Sequence, residues 1–177
     1  MRLFAGIGIP DAVAQSLALL QAGVPGARWM TRAQLHLTLR FIGEVDGAMA
    51  RDIDDVLSAV SVPPLVLELL GVGAFGGRDP RQLWAGVREN ELLIRMQKKI
   101  ESGLQRIGLP AEERKFTPHV TLATLKAAPR GRVMDYLHDH ALFAAGPFPV
   151  ESFTLYSSVT APAGSIYTAE RTYPLKS

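Results

Sequence analysis

The chain contains no cysteine. That excludes disulfides, thiolate metal sites, iron–sulfur clusters and a cysteine nucleophile, and it fits a reducing, cytoplasmic setting. Long apolar runs are missing as well. The stretch 3–9 after Met1-Arg2 is short, carries Gly6 and Gly8 and stops at Pro10, while the stretch 62–75 is interrupted by Pro63, Pro64, Glu68 and several glycines. Neither has the layout of a signal peptide or the roughly 18 uninterrupted residues of a membrane span, so a soluble protein with no membrane partner is expected. No sign of charge dominates: 19 Lys and Arg stand against 17 Asp and Glu, a net +2. Bulk charge therefore does not single out nucleic acid as a partner, although a local basic patch is compatible with it.

What is present can build a core. With 47% hydrophobic and 20% charged residues in a length of 177, the chain reads as one packed domain over residues 1–177, and as a monomer.

The sequence repeats itself. Leu3-Phe4-Ala5-Gly6-Ile7 is echoed by Leu83-Trp84-Ala85-Gly86-Val87, and His36-Leu37-Thr38-Leu39 by His119-Val120-Thr121-Leu122. After the first echo comes a helix in each copy: residues 11–21, with Val13, Leu17 and Leu20 at helical spacing, and residues 90–107, with Leu93, Met96, Ile100 and Leu104. A second helix follows each His-x-Thr motif, at 48–60 and 132–144, and a proline-flanked strand closes each copy, at 65–71 and 150–157. The fold class is therefore α+β: a β-α-β-α-β unit used twice, in halves of roughly 1–79 and 80–177, with antiparallel or mixed sheets in two lobes facing a central cleft.

The chemistry lies in the repeated motif. Along Leu35-His36-Leu37-Thr38-Leu39-Arg40-Phe41 apolar and polar residues alternate, so a strand places His36, Thr38 and Arg40 on one face. His119 and Thr121 share a face in the same way. Two such strands would bracket a phosphate with two imidazoles. One can take a proton from an attacking hydroxyl while the other gives one to the departing oxygen, each worth ~10²–10⁴ in rate, and histidine's ordinary pKa of about 6.5 suits both roles. The threonine hydroxyls can donate to the non-bridging oxygens as charge builds there. No metal and no cofactor is required.

These residues resemble the two-histidine (2H) phosphoesterases, and within them the bacterial and archaeal RNA 2',3'-cyclic phosphodiesterases, also called 2'-5' RNA ligases. The likeness includes Arg2-Leu3-Phe4, the run from Leu35 to Val45, Pro80-Arg81-Gln82-Leu83-Trp84, Phe116-Thr117-Pro118-His119-Val120-Thr121-Leu122, and Leu155-Tyr156-Ser157-Ser158 with Gly164 and Tyr167. It implies a bilobal, duplicated fold and hydrolysis of an RNA terminal 2',3'-cyclic phosphate to the 2'-phosphomonoester. It further implies His36 as general acid toward the 3' oxygen, His119 as general base toward water, Thr38 and Thr121 as phosphate ligands, and ATP-free 2'-5' ligation as a possible companion activity. The chain departs from the resemblance at Thr124, where many such sequences carry arginine; Arg40 and Lys126 are the candidate replacements. A non-catalytic RNA- or nucleotide-binding module on the same fold is the competing reading.

Other features have simpler readings. His138 and His140, two apart on a helix, cannot share a face and read as solvated. Gly71–Gly77 lacks the ending of a P-loop and reads as a turn between strands. Gly6 and Gly8 mark close backbone approach or a bulge in a strand. Trp29 and Phe41 are equally suited to base stacking or to the core and stay unassigned.

Overall fold

Alternating stretches of the sequence become strands, and stretches with helical spacing become helices. A computed structural model describes residues 1–177. In chain order the elements are β1 (Arg2–Gly8), α1 (Asp11–Ala18), β2 (Ala27–Trp29), β3 (His36–Glu44), α2 (Gly47–Ser58), β4 (Leu65–Phe75), β5 (Gln82–Val87), α3 (Glu91–Arg106), β6 (His119–Leu125), α4 (Arg130–Asp139), β7 (Ala144–Val150), β8 (Ser152–Ala161) and β9 (Gly164–Pro174). No helix is long and apolar enough to cross a membrane.

The central helix shows why these segments fold locally. On α3 the apolar residues Leu93, Met96, Ile100 and Leu104 form one stripe and are fully buried, each burial contributing roughly 1.5–3 kcal/mol. Asn90 caps its start by accepting from the Leu93 N–H at 3.0 Å, and Glu91 and Arg106 match the helix dipole at the two ends. Asp46 caps α2 through the Met49 N–H at 2.8 Å.

The strands form one sheet in the order β7-β4-β5-β6-β3-β1-β8-β9, with β2 beside β6, and every pairing is antiparallel. The order is symmetric about the β3–β6 junction, with β1, β8 and β9 on one side and β5, β4 and β7 on the other. Sequence halves and spatial lobes do not coincide. β4 follows α2 in the chain yet pairs with β5 and β7, and β8, near the C-terminus, pairs with β1.

Some elements differ from expectation. β4 runs on to Phe75, so Gly71 and Gly73 lie in strand rather than in a turn. Gly73 leaves room for an aromatic neighbour, since a Cβ there would stand 2.2 Å from the Trp84 indole. The turn itself starts at Gly76, whose φ of +113° favours glycine. The strand expected at 150–157 is divided between β7 and β8. β7 carries Pro147 and Pro149, which argue against an interior strand, and they are tolerated because β7 forms the sheet's edge. β9 has no counterpart among the expected elements, since most of its side chains are exposed on both faces and no alternation marks it.

Candidate active site

β3 and β6 pair through one residue couple, Leu37 opposite Val120. Both of these side chains are fully buried in the core shared with α2 and α3. Alternation therefore sends His36, Thr38, His119 and Thr121 to the opposite face, around that single contact. Extending the antiparallel register sets His36 across from Thr121 and Thr38 across from His119. The two imidazoles become diagonal neighbours, roughly 7–8 Å apart at the backbone in a regular ladder.

Backbone carbonyls aim both rings. His36 Nδ1 donates to the Gln34 carbonyl at 2.9 Å and His119 Nδ1 to the Thr117 carbonyl at 2.6 Å, in each case two residues upstream. A carbonyl only accepts, so both neutral rings carry their proton on Nδ1 and turn a basic Nε2 to the site. In the first motif the Thr38 hydroxyl donates to His36 Nε2 at 2.8 Å. In the second, Nε2 has no such bond and remains free.

Aromatic walls desolvate the pair. Phe4, Tyr167 and Tyr156 surround His36, with ring centroids 4.7, 5.1 and 6.0 Å away. Phe75 meets His119 edge-on at 5.0 Å and Trp84 lies at 5.9 Å. Burial holds His36 down at about 4, helped by the neighbouring His119 and opposed by the Gln34 bond. Burial also lowers His119 below its ordinary value. Gly6 admits this packing: a Cβ there would come within 3.0 Å of the Leu37 carbonyl and 3.5 Å of both His36 and Tyr156.

Both motif strands bulge one residue past the threonine. On β3, Gly6 opposes Thr38 but Ala5 opposes Arg40, which leaves Leu39 extra; on β6, Trp84 opposes Thr121 but Leu83 opposes Ala123, which leaves Leu122 extra. Each bulge reverses the parity of the residues beyond it. Arg40 thus departs from the expected face: it is buried on the helix side, where Nε donates to Glu101 at 2.5 Å and Nη2 to the Pro110 carbonyl at 2.5 Å. That partnership holds the Glu101 carboxyl down at about 2. Arg40 is therefore no phosphate ligand. The equivalent shift on β6 returns Thr124 to the histidine face, in register with Gln82 and Arg28. Lys126 lies exposed, just past the end of β6.

The remaining candidates separate cleanly. Phe41 is 55% exposed with its ring 6.0 Å from Phe4, beside the site. Trp29 pairs with the core residue Ala123 and lies 6.0 Å from Tyr136, so it belongs to the core. His138 is exposed, whereas His140 is half-buried with its ring 4.5 Å from Tyr136. Phe75 and the wall role of Tyr156 and Tyr167 escape a reading of periodicity, because β4, β8 and β9 meet the motif strands only in space. A concavity of about 1030 Å³ runs between α2 and α3 and includes neither histidine.

An α+β sheet that joins two His-x-Thr strands at one junction is the architecture of the two-histidine phosphoesterases. The model of the 2'-5' RNA ligase superfamily matches residues 9–161, and the chain belongs to that superfamily. It is 30% identical over 171 residues to an RNA 2',3'-cyclic phosphodiesterase of Archaeoglobus fulgidus, covering 94% of this chain and 96% of the relative. Among solved structures it is similar to TT0787 of Thermus thermophilus, with a TM-score of 0.84, 29% identity and coverage of 99% and 98% of the two chains. It is also similar to E. coli LigT complexed with 3'-AMP, with a TM-score of 0.81, 26% identity and the same coverage.

Proposed function

We propose that this protein hydrolyses RNA terminal 2',3'-cyclic phosphates to 2'-phosphomonoesters by two-histidine acid–base catalysis without a metal. The observation that carries this reading is the pair of Nε2 atoms presented around the single Leu37–Val120 contact. His119 Nε2, free and neutral, takes a proton from water as its oxygen attacks phosphorus. The bond from phosphorus to the 3' oxygen breaks, and His36 Nε2–H delivers a proton to that oxygen. Thr38 and Thr121 donate to the non-bridging oxygens, where negative charge grows.

The His36–Thr38 bond gives protonation of the leaving oxygen a switch. While His36 is neutral, the Thr38 hydroxyl donates to it. Once His36 is protonated, Nε2 becomes a donor and the hydroxyl is released toward the phosphate. An anionic substrate favours that protonated form by simple Coulomb attraction. The same site supports 2'-5' ligation when a 5'-hydroxyl of a second RNA replaces water as attacker; the ring supplies the activation and no ATP is consumed. The names of the A. fulgidus relative and of the superfamily, and a LigT relative crystallised with 3'-AMP, support the substrate class.

The test is to incubate an oligonucleotide ending in a 2',3'-cyclic phosphate with the protein in EDTA and to resolve the products. Ring opening to the 2'-phosphate is expected, with losses of ~10²–10⁴ in kcat for His36→Ala and for His119→Ala. An intact ring beside folded protein overturns the reading, and binding without turnover would favour the nucleotide-binding module.

A further inference from the structure

The face that carries His119 and Thr121 continues beyond them. Past the Leu122 bulge it carries Thr124, and β2 lays Arg28 directly opposite Thr124. Directly opposed residues in an antiparallel ladder point to the same face, so Arg28 stands on the histidine side of the sheet. β2 occupies the fork that opens where β3 leaves β6, and the Arg28 head group reaches across that fork to the β8–β9 turn. A Cβ built on Gly164 would stand 2.7 Å from Arg28 Nη2 and 2.9 Å from Gln34 Nε2, so both groups rest against the glycine. Gln34 is itself fixed, donating to the Ser165 carbonyl at 2.9 Å while its own carbonyl accepts from His36.

Arg28 therefore has a seat but no partner. None of the ion pairs in the structure involves it, in contrast to Arg32, Arg40, Arg88 and Arg171. A seated, exposed guanidinium suits bidentate binding of a phosphate. Its position decides which phosphate. Thr124 lies three residues past Thr121, which at the strand rise and with one bulge is roughly 7–10 Å farther along the face. That backbone offset, with the head group seated at the β8–β9 turn, suits the next phosphate of a chain. Register also brings Ser165 opposite Thr160 at the hairpin tip, on the face of Tyr167, so hydroxyls flank the path.

We propose that Arg28 is a specificity residue that holds the phosphodiester on the 5' side of the terminal nucleotide, so that the protein reads an RNA end as a chain rather than as a cyclic mononucleotide. This rests on the phosphodiesterase reading above. The experiment compares wild type, Arg28→Gln and Lys126→Gln on a trinucleotide ending in a 2',3'-cyclic phosphate and on the corresponding nucleoside 2',3'-cyclic phosphate. Binding of the two 2'-phosphate products is measured in parallel over a range of salt.

Arg28→Gln is expected to raise KM for the trinucleotide about tenfold with kcat little changed, which removes most of the preference over the mononucleotide. The log–log salt slope of trinucleotide binding is expected to shrink by about 0.7, one phosphate contact on a single strand. Equal losses on both substrates, an unchanged trinucleotide KM, or a larger effect from Lys126→Gln would overturn the assignment. If wild type opens neither ring, the phosphodiesterase reading fails, and the binding arm still decides Arg28. Wild type must then hold the trinucleotide product more tightly than the mononucleotide, and Arg28→Gln must erase that gap.

Discussion

His36 sits in an apolar surround that keeps it neutral, whereas the proposed reaction requires its proton. With His36 held at about 4, the form the proposed mechanism requires, a charged His36 beside a neutral His119, is a minor species of the free protein near neutrality. The pH profile of kcat/KM reports those free-protein values. It should peak in the acid range between about 4 and 6.5 and fall about tenfold per unit above neutrality, as measured with the cyclic-ended oligonucleotide. Stability should move the other way. The unfolded chain takes up a proton near 6.5 that folded His36 refuses until about 4. Stability is thus full above 6.5 and drops as pH falls through that window, by on the order of 3 kcal/mol. Urea unfolding at both ends of the window, compared with His36→Gln, checks this, since the variant should lose the steep part of the dependence. At this scale the sequence is informative about the His-x-Thr pairs, because alternation and repetition both mark them. It misplaces Arg40 because alternation does not carry through a bulge. A sign of that bulge is present nonetheless: the repeat sets Arg40 against Ala123, an apolar residue directly following Leu122, where strict alternation has already failed.

Among the elements, β3 and α3 are joined by the Arg40–Glu101 pair that this bulge creates. Glu101 also accepts from the Glu112 N–H at 2.9 Å, so the pair anchors the segment that runs from α3 toward His119. Arg40→Ala should lower stability by roughly 3–5 kcal/mol in urea, because it strands a carboxylate beside the core. Arg40→Met with Glu101→Leu should recover most of the loss. An Arg40→Ala protein of normal stability with a raised KM would instead return Arg40 to the phosphate. The helices are legible from their apolar stripes and caps, as on α3, whereas β7 and β9 are not. One hides behind two prolines that only an edge position allows, and the other has no buried face to print a pattern.

For the molecule as a whole, the exchange of terminal strands makes neither sequence half self-sufficient. Residues 1–79 alone would hold β1 without β8 and β4 without β5 and β7. That fragment should show no cooperative unfolding transition by circular dichroism, and mixing it with residues 80–177 should restore one. The echo of Leu3–Ile7 in Leu83–Val87 illustrates the limit of reading such a repeat. Pairing against the two motifs equates Gly6 with Trp84 and Gly8 with Gly86, two places away from the echo. A shift of two preserves every inward and outward side chain, so hydrophobicity is blind to it.

The lone Leu37–Val120 rung has a mechanical corollary. A single couple of residues joins the two motif strands, yet the chain laces across it through β4 in one direction and through β8 in the other, so connectivity as well as that rung holds the two imidazole-bearing sides together.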